Sequence, residues 1–342
     1  MEKTIQIGIV EDNVMHADPK GFDLDTRFRM VKESGVFDYF DKTPPAHTFW
    51  DYHRLSRTHG LPMTAGGFYY FLGRDEPLLE WNLRVAADLG AKIHNVQIIS
   101  HDLRGRLVTN EQVAETYLRA AELGAAVGVT PCFEVHVNMW SEHFGRVAQV
   151  AKLVEQRGVP FRMTLDHSHV IFKIDNPEAL EVQNLAADVA SGAIVLDPFQ
   201  PGSVCQGWID AGYVRHMHAR SAAPNGPRNL WDRQPNGKPG RGIQYPFIAP
   251  GPGEWHSDWD AAKLEPWKEV VRQFLRHHAA ADGDPVATIS TEFIPQTDYG
   301  GGARYSLFEN AIACATWIRE EWAWILETGA EPARLNQTGA SH

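Results

Sequence analysis

Residues 130–169 read TPCFEVHVNMWSEHFGRVAQVAKLVEQRGVPFRMTLDHSH. The stretch opens on an apolar run, Thr130 to Val137, and passes through a helical segment, Phe144 to Gln156, that stops near Gly158. It returns to an apolar run at Phe161 to Leu165. A strand, a helix and a second strand in this order imply parallel strands joined by a right-handed crossover. Each apolar run also carries an acid toward its C-terminal end, Glu134 in CFEVHVN and Asp166 in MTLDHSH. Hydrophobic patterning predicts core residues at both places, so the acids need another reason to be there.

The same alternation extends outward in both directions. Ile5 to Val10 predicts a first strand, Val36 to Phe40 a short second one, and Met63 to Phe71 a third. Glu76 to Leu89 carries Leu79, Leu83, Ala86 and Ala87 at helical spacing and ends at Gly90, a natural stop. Ile93 to Ile99 is strand-like, and Asn110 to Leu123 is a helix expected to stop at Gly124. Leu180 to Ala190 is helical, Ala193 to Leu196 is a short apolar run, and Tyr213 to His218 and Val286 to Phe293 are further strands. A long helix follows from Leu307 to about Leu326. About eight strands in such an alternation fit a closed (β/α)8 TIM barrel, which takes roughly 250 residues and tolerates insertions. An open doubly wound sheet would alternate too, but Gly66-Gly67 lacks the spacing of its phosphate loop.

Composition narrows the function. Hydrophobic residues make up 43% and charged residues 22% of the 342, ordinary for a globular chain with a sizeable core. A net charge of -11, from 32 Lys and Arg against 43 Asp and Glu, repels a phosphate backbone and disfavours nucleic acid as a partner. Cys132, Cys205 and Cys314 form no CxxC pair and suggest neither a zinc ribbon nor a disulfide framework. No apolar stretch approaches the ~18 residues of a membrane helix. The N-terminus lacks a signal peptide's apolar core and cleavage site, so a reducing cytoplasm is the expected location.

Two segments break the rhythm. Ser221 to Trp259 is rich in Pro, Gly, Asn and Trp and far longer than the ~4–6 residues of a typical connection. Its aromatic residues argue for order. Beyond about Glu327 the chain turns small and polar. The expected organisation is one metal-binding barrel over 1–326, with an insertion or lid over 219–282 before the last strand, and a tail over 327–342.

His218 in VRHMHAR and Glu292 in STEFIP stand, like Glu134 and Asp166, at the C-terminal ends of strand candidates, where barrel active sites are built. Spacings of 32, 52 and 74 residues separate the four in order. Three carboxylates and an imidazole make a mixed oxygen and nitrogen site that suits Mn²⁺, Mg²⁺, Co²⁺ or Zn²⁺ better than thiophilic ions. Taken singly, Asp166 reads equally well as a helix cap. His216 and His218, two apart, share one strand face, so at most a pair is meaningful. It is the four matched positions together that point to a metal.

The whole pattern resembles the xylose isomerase-like superfamily, which includes ketose 3-epimerases, inosose dehydratases and barrel-type abasic-site endonucleases. The resemblance spans roughly residues 5 to 325. It implies the barrel fold and one divalent ion, Mn²⁺ first, held by Glu134, Asp166, His218 and Glu292. It also implies a substrate-binding His169, three residues after Asp166, and proton transfer by Glu134 and Glu292. The ion would stabilise the enediolate formed when a proton leaves beside a sugar carbonyl, and the carboxylates would remove and return that proton.

The sequence departs from that pattern at two places. His136 shares a strand face with Glu134, and Asn138 follows two residues later as a substrate-binding candidate. His136 is either the proton acceptor, since histidine titrates near neutrality, or a partner orienting a ligand carboxylate. His167 either plays a similar part or faces solvent. Trp231, Tyr245, Trp255 and Trp259 form either an aromatic wall for a sugar or aglycone, with Trp255 as a binding residue, or a lid or oligomer contact. The stretch GIQYPFIAPGPGEWHSDW (242–259) is also similar to barrel subunits of C-glycoside deglycosidases. Those implied relatives are lyases that enolise a 3-keto-glycoside and expel its aglycone, with a small partner subunit. The leading expectation is a sugar isomerase or epimerase, with the lyase as alternative. An abasic-site nuclease would need more ligands and a basic groove. Either a homo-oligomer or a complex with a small subunit is expected, through the Trp-rich loop or the helix around Trp317, Trp322 and Trp324.

Overall fold

Every apolar run but one becomes a strand of a single closed barrel. The computed structural model describes residues 2–15 and 21–329. Its barrel strands are β1 (Thr4–Val10), β2 (Tyr39–Asp41), β3 (Ala65–Tyr70), β4 (Ile93–Ile98), β5 (Thr130–Val135), β6 (Met163–Asp166), β7 (Val214–Ala219) and β8 (Val286–Thr291). They lie side by side in chain order, all parallel, and β8 closes on β1. Each is followed by a principal helix: α1 (Leu24–Ser34), α2 (Phe49–His59), α3 (Glu76–Leu89), α4 (Asn110–Val127), α5 (Gly145–Glu155), α6 (Val204–Asp210), α7 (Glu265–Ala280) and α8 (Leu307–Thr328). Strands covered by helices outside and side chains inside are buried on both faces, which is why they read as continuous apolar runs.

The helices start and stop for local reasons. At the start of α4, Thr109 and Gln112 bond reciprocally to each other's backbone N–H groups as a capping box. α3 has a proline in its first turn and ends at Gly90, whose φ of 85° only glycine adopts freely. Several expectations are corrected. Gly124 does not stop α4, which runs on to Val127. It sits inside the helix because a Cβ there would overlap the Val129 carbonyl. The helix expected over Leu180 to Ala190 is two short ones, Pro177–Glu181 and Ala186–Ala190, broken by Asn184 at φ 54°. The run Ala193 to Leu196 supplies only a bridge from Val195 to Ser203, outside the barrel. β2 begins later than expected and reaches Asp41.

The barrel floor is apolar, with Tyr39, Ala65, Ile93 and Cys132 in contact. Gly8 leaves room for the Tyr39 ring and Gly67 for Asn95, since a Cβ at either glycine would collide with that neighbour. Above this floor the interior turns polar.

Between Arg220 and Asp260 the chain holds one antiparallel pair, Asn229–Arg233 with Pro239–Gly240. Its aromatic rings pack inward: Trp255 lies 5.8 Å from both Tyr245 and Tyr305, and Phe247 lies 6.0 Å from Trp267. From Glu265 the chain is α7, which buries Trp267, Val270, Val271, Phe274 and Leu275. On α8, Trp322 is buried and Trp317 packs on Trp267, while Trp324 is 43% exposed. All three cysteines are buried and free. Among the described residues no helix is long and apolar enough to cross a membrane. Of the expected polar tail, residues 330–342 lie outside the described residues.

Candidate metal centre

Glu134 on β5, Asp166 on β6, His218 on β7 and Glu292, one residue beyond β8, come from four neighbouring strands. Asp166 and His218 are paired in register. One ligand atom from each of the four lies within 4.8 Å of all the others, and every one of the residues is buried. His218 Nδ1 stands between Glu134 Oε1 at 3.0 Å and Glu292 Oε2 at 3.3 Å.

Neighbouring side chains hold the ligands in place. Glu134 Oε2 accepts hydrogen bonds from Asn95 at 2.6 Å and Gln97 at 2.5 Å, which turns Oε1 toward the cluster. Asp166 Oδ1 accepts from the Ser168 hydroxyl at 2.6 Å and the Ser168 backbone N–H at 3.1 Å. The cap-like bond therefore occupies one oxygen of Asp166 and leaves the other to the cluster. Arg220, fully buried, donates to Asp166 Oδ2 and to Glu292 Oε2 (2.9 Å), with its guanidinium 4.4 Å from the centre of the Tyr299 ring. His169 Nε2 lies 3.0 Å from Asp166 and accepts from Arg220 at 2.8 Å, while its Nδ1 is buried without a partner.

The electrostatics fit a divalent cation. Three carboxylates against one guanidinium leave a net charge of −2 when the imidazoles are neutral. In the dry interior that charge must be met. Burial opposes a charge on His218, yet the carboxylates of Glu292 and Glu134 outweigh it and push the His218 pKa well above its ordinary value. A proton on His218 thus does part of what a bound cation would do, and metal loading displaces such protons. Burial raises the pKa of Glu292. Burial also works against the charge of Glu134, but His218 overcomes it and brings that pKa down to about 2. Burial, helped by the neighbouring His136 and Arg220 and opposed by Asp166, drives the pKa of His169 down to about 3, so this imidazole is neutral.

His136 is half-buried beside the cluster, its ring centre 4.1 Å from that of His169. Its Nδ1 lies 2.6 Å from the Val137 carbonyl and its Nε2 3.2 Å from the Tyr299 hydroxyl. A carbonyl only accepts, so Nδ1 carries the proton and Nε2 keeps a lone pair. Asn138 is exposed at a turn, at φ 66°, with its N–H on Glu142 at 2.6 Å. It is not drawn into the cluster. Among the described residues the ring partners of Trp255 are Trp231, Tyr245, His256 and Tyr305, none of them a cluster member. His167 faces neither cluster nor solvent; it stacks on Trp267 at 4.9 Å.

Sequence reading missed Arg220, Asn95, Gln97 and Tyr299. The first three had a signal. His216, His218 and Arg220 continue one period of two, and Asn95 and Gln97 alternate inside the apolar run HNVQI. Tyr299 arrives on a loop, which no periodicity marks.

No protein-family model matches the sequence, and no curated protein matches it either. Solved structures do match in fold. A D-psicose 3-epimerase solved in the presence of D-fructose is 14% identical, with a TM-score of 0.52 over 93% of this chain and 99% of its own. The 3-keto-D-glucoside 4-epimerase YcjR of E. coli is 12% identical, with a TM-score of 0.52 over 93% and 100%. The IolI protein, solved with a zinc atom, is 13% identical, with a TM-score of 0.50 over 93% and 98%. The chain therefore has the fold of the xylose isomerase-like TIM barrels, shared with sugar isomerases and epimerases.

Proposed function

We propose that this barrel is a divalent-metal-dependent sugar isomerase or epimerase that removes and returns a proton on a carbon beside a carbonyl. The observation that carries the reading is the buried cluster of Glu134, Asp166, His218 and Glu292, whose net −2 charge with Arg220 matches one divalent ion. These four would hold it. Three carboxylate oxygens among four donors favour Mn²⁺, with Mg²⁺, Co²⁺ or Zn²⁺ as substitutes. When bound, the ion stabilises negative charge developing on two neighbouring sugar oxygens.

The protein's own groups then divide the work. His136 accepts the proton on Nε2, whose lone pair takes a long 3.2 Å bond from the Tyr299 hydroxyl that the substrate would displace. Glu134 is a poor acceptor, because Asn95, Gln97 and His218 occupy both its oxygens. Glu292, the most exposed of the four at 9%, is the ligand a substrate meets, and it returns the proton. His169, through its unpartnered Nδ1, orients the sugar oxygens, and Arg220 fixes the ring by donating to its Nε2. Assembly with a second copy or a small subunit belongs to the same proposal, and Trp324 is the exposed aromatic of α8 available for it.

The pinning of Glu134 makes a separate prediction. Asn95→Leu, which removes one of the two amide donors to Oε2, is expected to weaken divalent-metal binding about 10–100-fold, measured by calorimetric titration of the stripped protein. Unchanged affinity would show that the amides do not set the ligand.

The function is tested by incubating metal-loaded protein with free ketoses and with 3-keto-glycosides and following the products by NMR. An isomerised or epimerised sugar is the expected result. Release of an aglycone instead assigns the lyase, which shares the proton-removal step. A loaded protein that changes none of them overturns the proposal.

A further inference from the structure

We propose that a second divalent cation binds one layer deeper in the barrel, between Asp41, His216 and His218, with His218 bridging the two ions through its two ring nitrogens. The site rests on the metal reading of the mouth only through that shared residue.

The sheet geometry brings the three together. His216 and His218 are two apart on β7, so both face the interior, and Asp41 ends β2. Their exposures are 4% for Asp41, 0% for His216 and 3% for His218. A ligand atom from each lies within 4.8 Å of the other two. His216 Nε2 is 3.6 Å and His218 Nε2 4.0 Å from Asp41 Oδ2, and neither nitrogen has a hydrogen-bond partner. These separations are too long for N–H···O bonds, which run about 2.7–3.2 Å. Ligands each placed about 2.0–2.2 Å from one tetrahedral ion stand roughly 3.3–3.6 Å apart, which the His216 separation matches and the His218 separation exceeds by about 0.4 Å.

The tautomers point the same way. His216 Nδ1 lies 3.1 Å from the Thr288 carbonyl and 3.0 Å from its hydroxyl. The carbonyl requires a donor, so Nδ1 carries the proton and Nε2 aims a lone pair at the Asp41 carboxylate. A lone pair facing an anion in a dry interior is costly, and a cation between them relieves it. Asp41 Oδ2 also accepts from the Ser290 hydroxyl at 2.5 Å, and Ser290 bonds to the Tyr39 hydroxyl at 2.9 Å.

Charge closes on the same count. With the mouth cluster and Arg220 neutralised by the first ion, Asp41 adds −1. Loading the second ion releases the remaining His218 N–H proton to solvent, adding another −1, and the divalent ion balances both. Two imidazoles and one carboxylate suit Zn²⁺ or Co²⁺ better than the oxygen-rich mouth does. Seated over the Tyr39 floor, the deep ion supports the fold and tunes His218 without touching substrate.

The test strips the whole chain with a chelator, reloads it with Zn²⁺ alone, and counts bound zinc per chain by mass spectrometry after desalting. Two ions per wild-type chain are expected, falling to one in Asp41→Asn and in His216→Gln, and to one in Asp166→Asn, which spoils only the mouth. One ion in wild type that persists in Asp41→Asn and disappears in Asp166→Asn overturns the second site and leaves the mouth standing. No bound zinc in wild type overturns both. Should the deep-site variants fail to fold, zinc-edge anomalous scattering from the wild-type crystal decides: two peaks about 6 Å apart support the bridge, and a single peak overturns it.

Discussion

His136→Gln is expected to lower kcat by about 10²–10⁴-fold, the usual contribution of a positioned proton acceptor, while metal content stays at the wild-type level. His136 lies beside the cluster but is not one of its four members. Its Nδ1 is committed to the Val137 carbonyl, so Nε2, held only by the Tyr299 hydroxyl at 3.2 Å, is its proton-accepting atom. Glutamine keeps much of the volume and a polar end but has no basic nitrogen. Steady-state kinetics together with metal analysis make the measurement. A variant retaining wild-type kcat would return the proton to Glu134 or Glu292. Glu134→Gln cannot serve the same purpose. Asn95 and Gln97 both donate to Oε2, so a glutamine keeps its carbonyl there and turns its NH₂ toward His218. Ligand and candidate base would be lost together.

Arg220→Met carries the largest expected effect on stability. The guanidinium is fully buried, pairs with Asp166 and Glu292, and lies over the Tyr299 ring. Its removal leaves converging carboxylates in the interior without their fixed counter-charge. Breaking a buried ion pair from one side costs about 3–5 kcal/mol, expected here in urea unfolding with EDTA present. Divalent metal should restore part of the loss, because the ion supplies positive charge to the same oxygens. A variant as stable as wild type in EDTA would show that Arg220 is not their counter-charge.

The parts of this site that were legible in sequence share one property. Glu134, Asp166, His218 and Glu292 are polar residues set at the ends of apolar runs, and a parallel barrel turns such ends toward one mouth. Asn95 and Gln97 were hidden because periodicity shows that two residues share a strand face without showing whether that face looks into the barrel. Arg220 lies just past β7, where a strand pattern stops being read although its period of two continues. The chemistry of Trp255 allows a sugar-facing wall or a lid, and its ring packs against Tyr245 and Tyr305. The helix α7 did carry a signal, Trp267, Val270, Val271, Phe274 and Leu275 at helical spacing, which the Pro- and Gly-rich approach obscured. Gly124 shows the limit of a glycine rule: the residue is needed for a close approach to Val129 and ends nothing.

In the proposed reaction a metal held by Glu134, Asp166, His218 and Glu292 enables proton removal beside a carbonyl. Solvent exchange tests it most directly: stripped and Mn²⁺-loaded protein are incubated in D₂O with ketoses and 3-keto-glycosides, and carbon-bound protons are followed by NMR. Deuterium entering beside the carbonyl only in the loaded protein is the predicted result. Equal exchange in the stripped protein, or none with metal occupancy confirmed, would overturn metal-dependent proton removal.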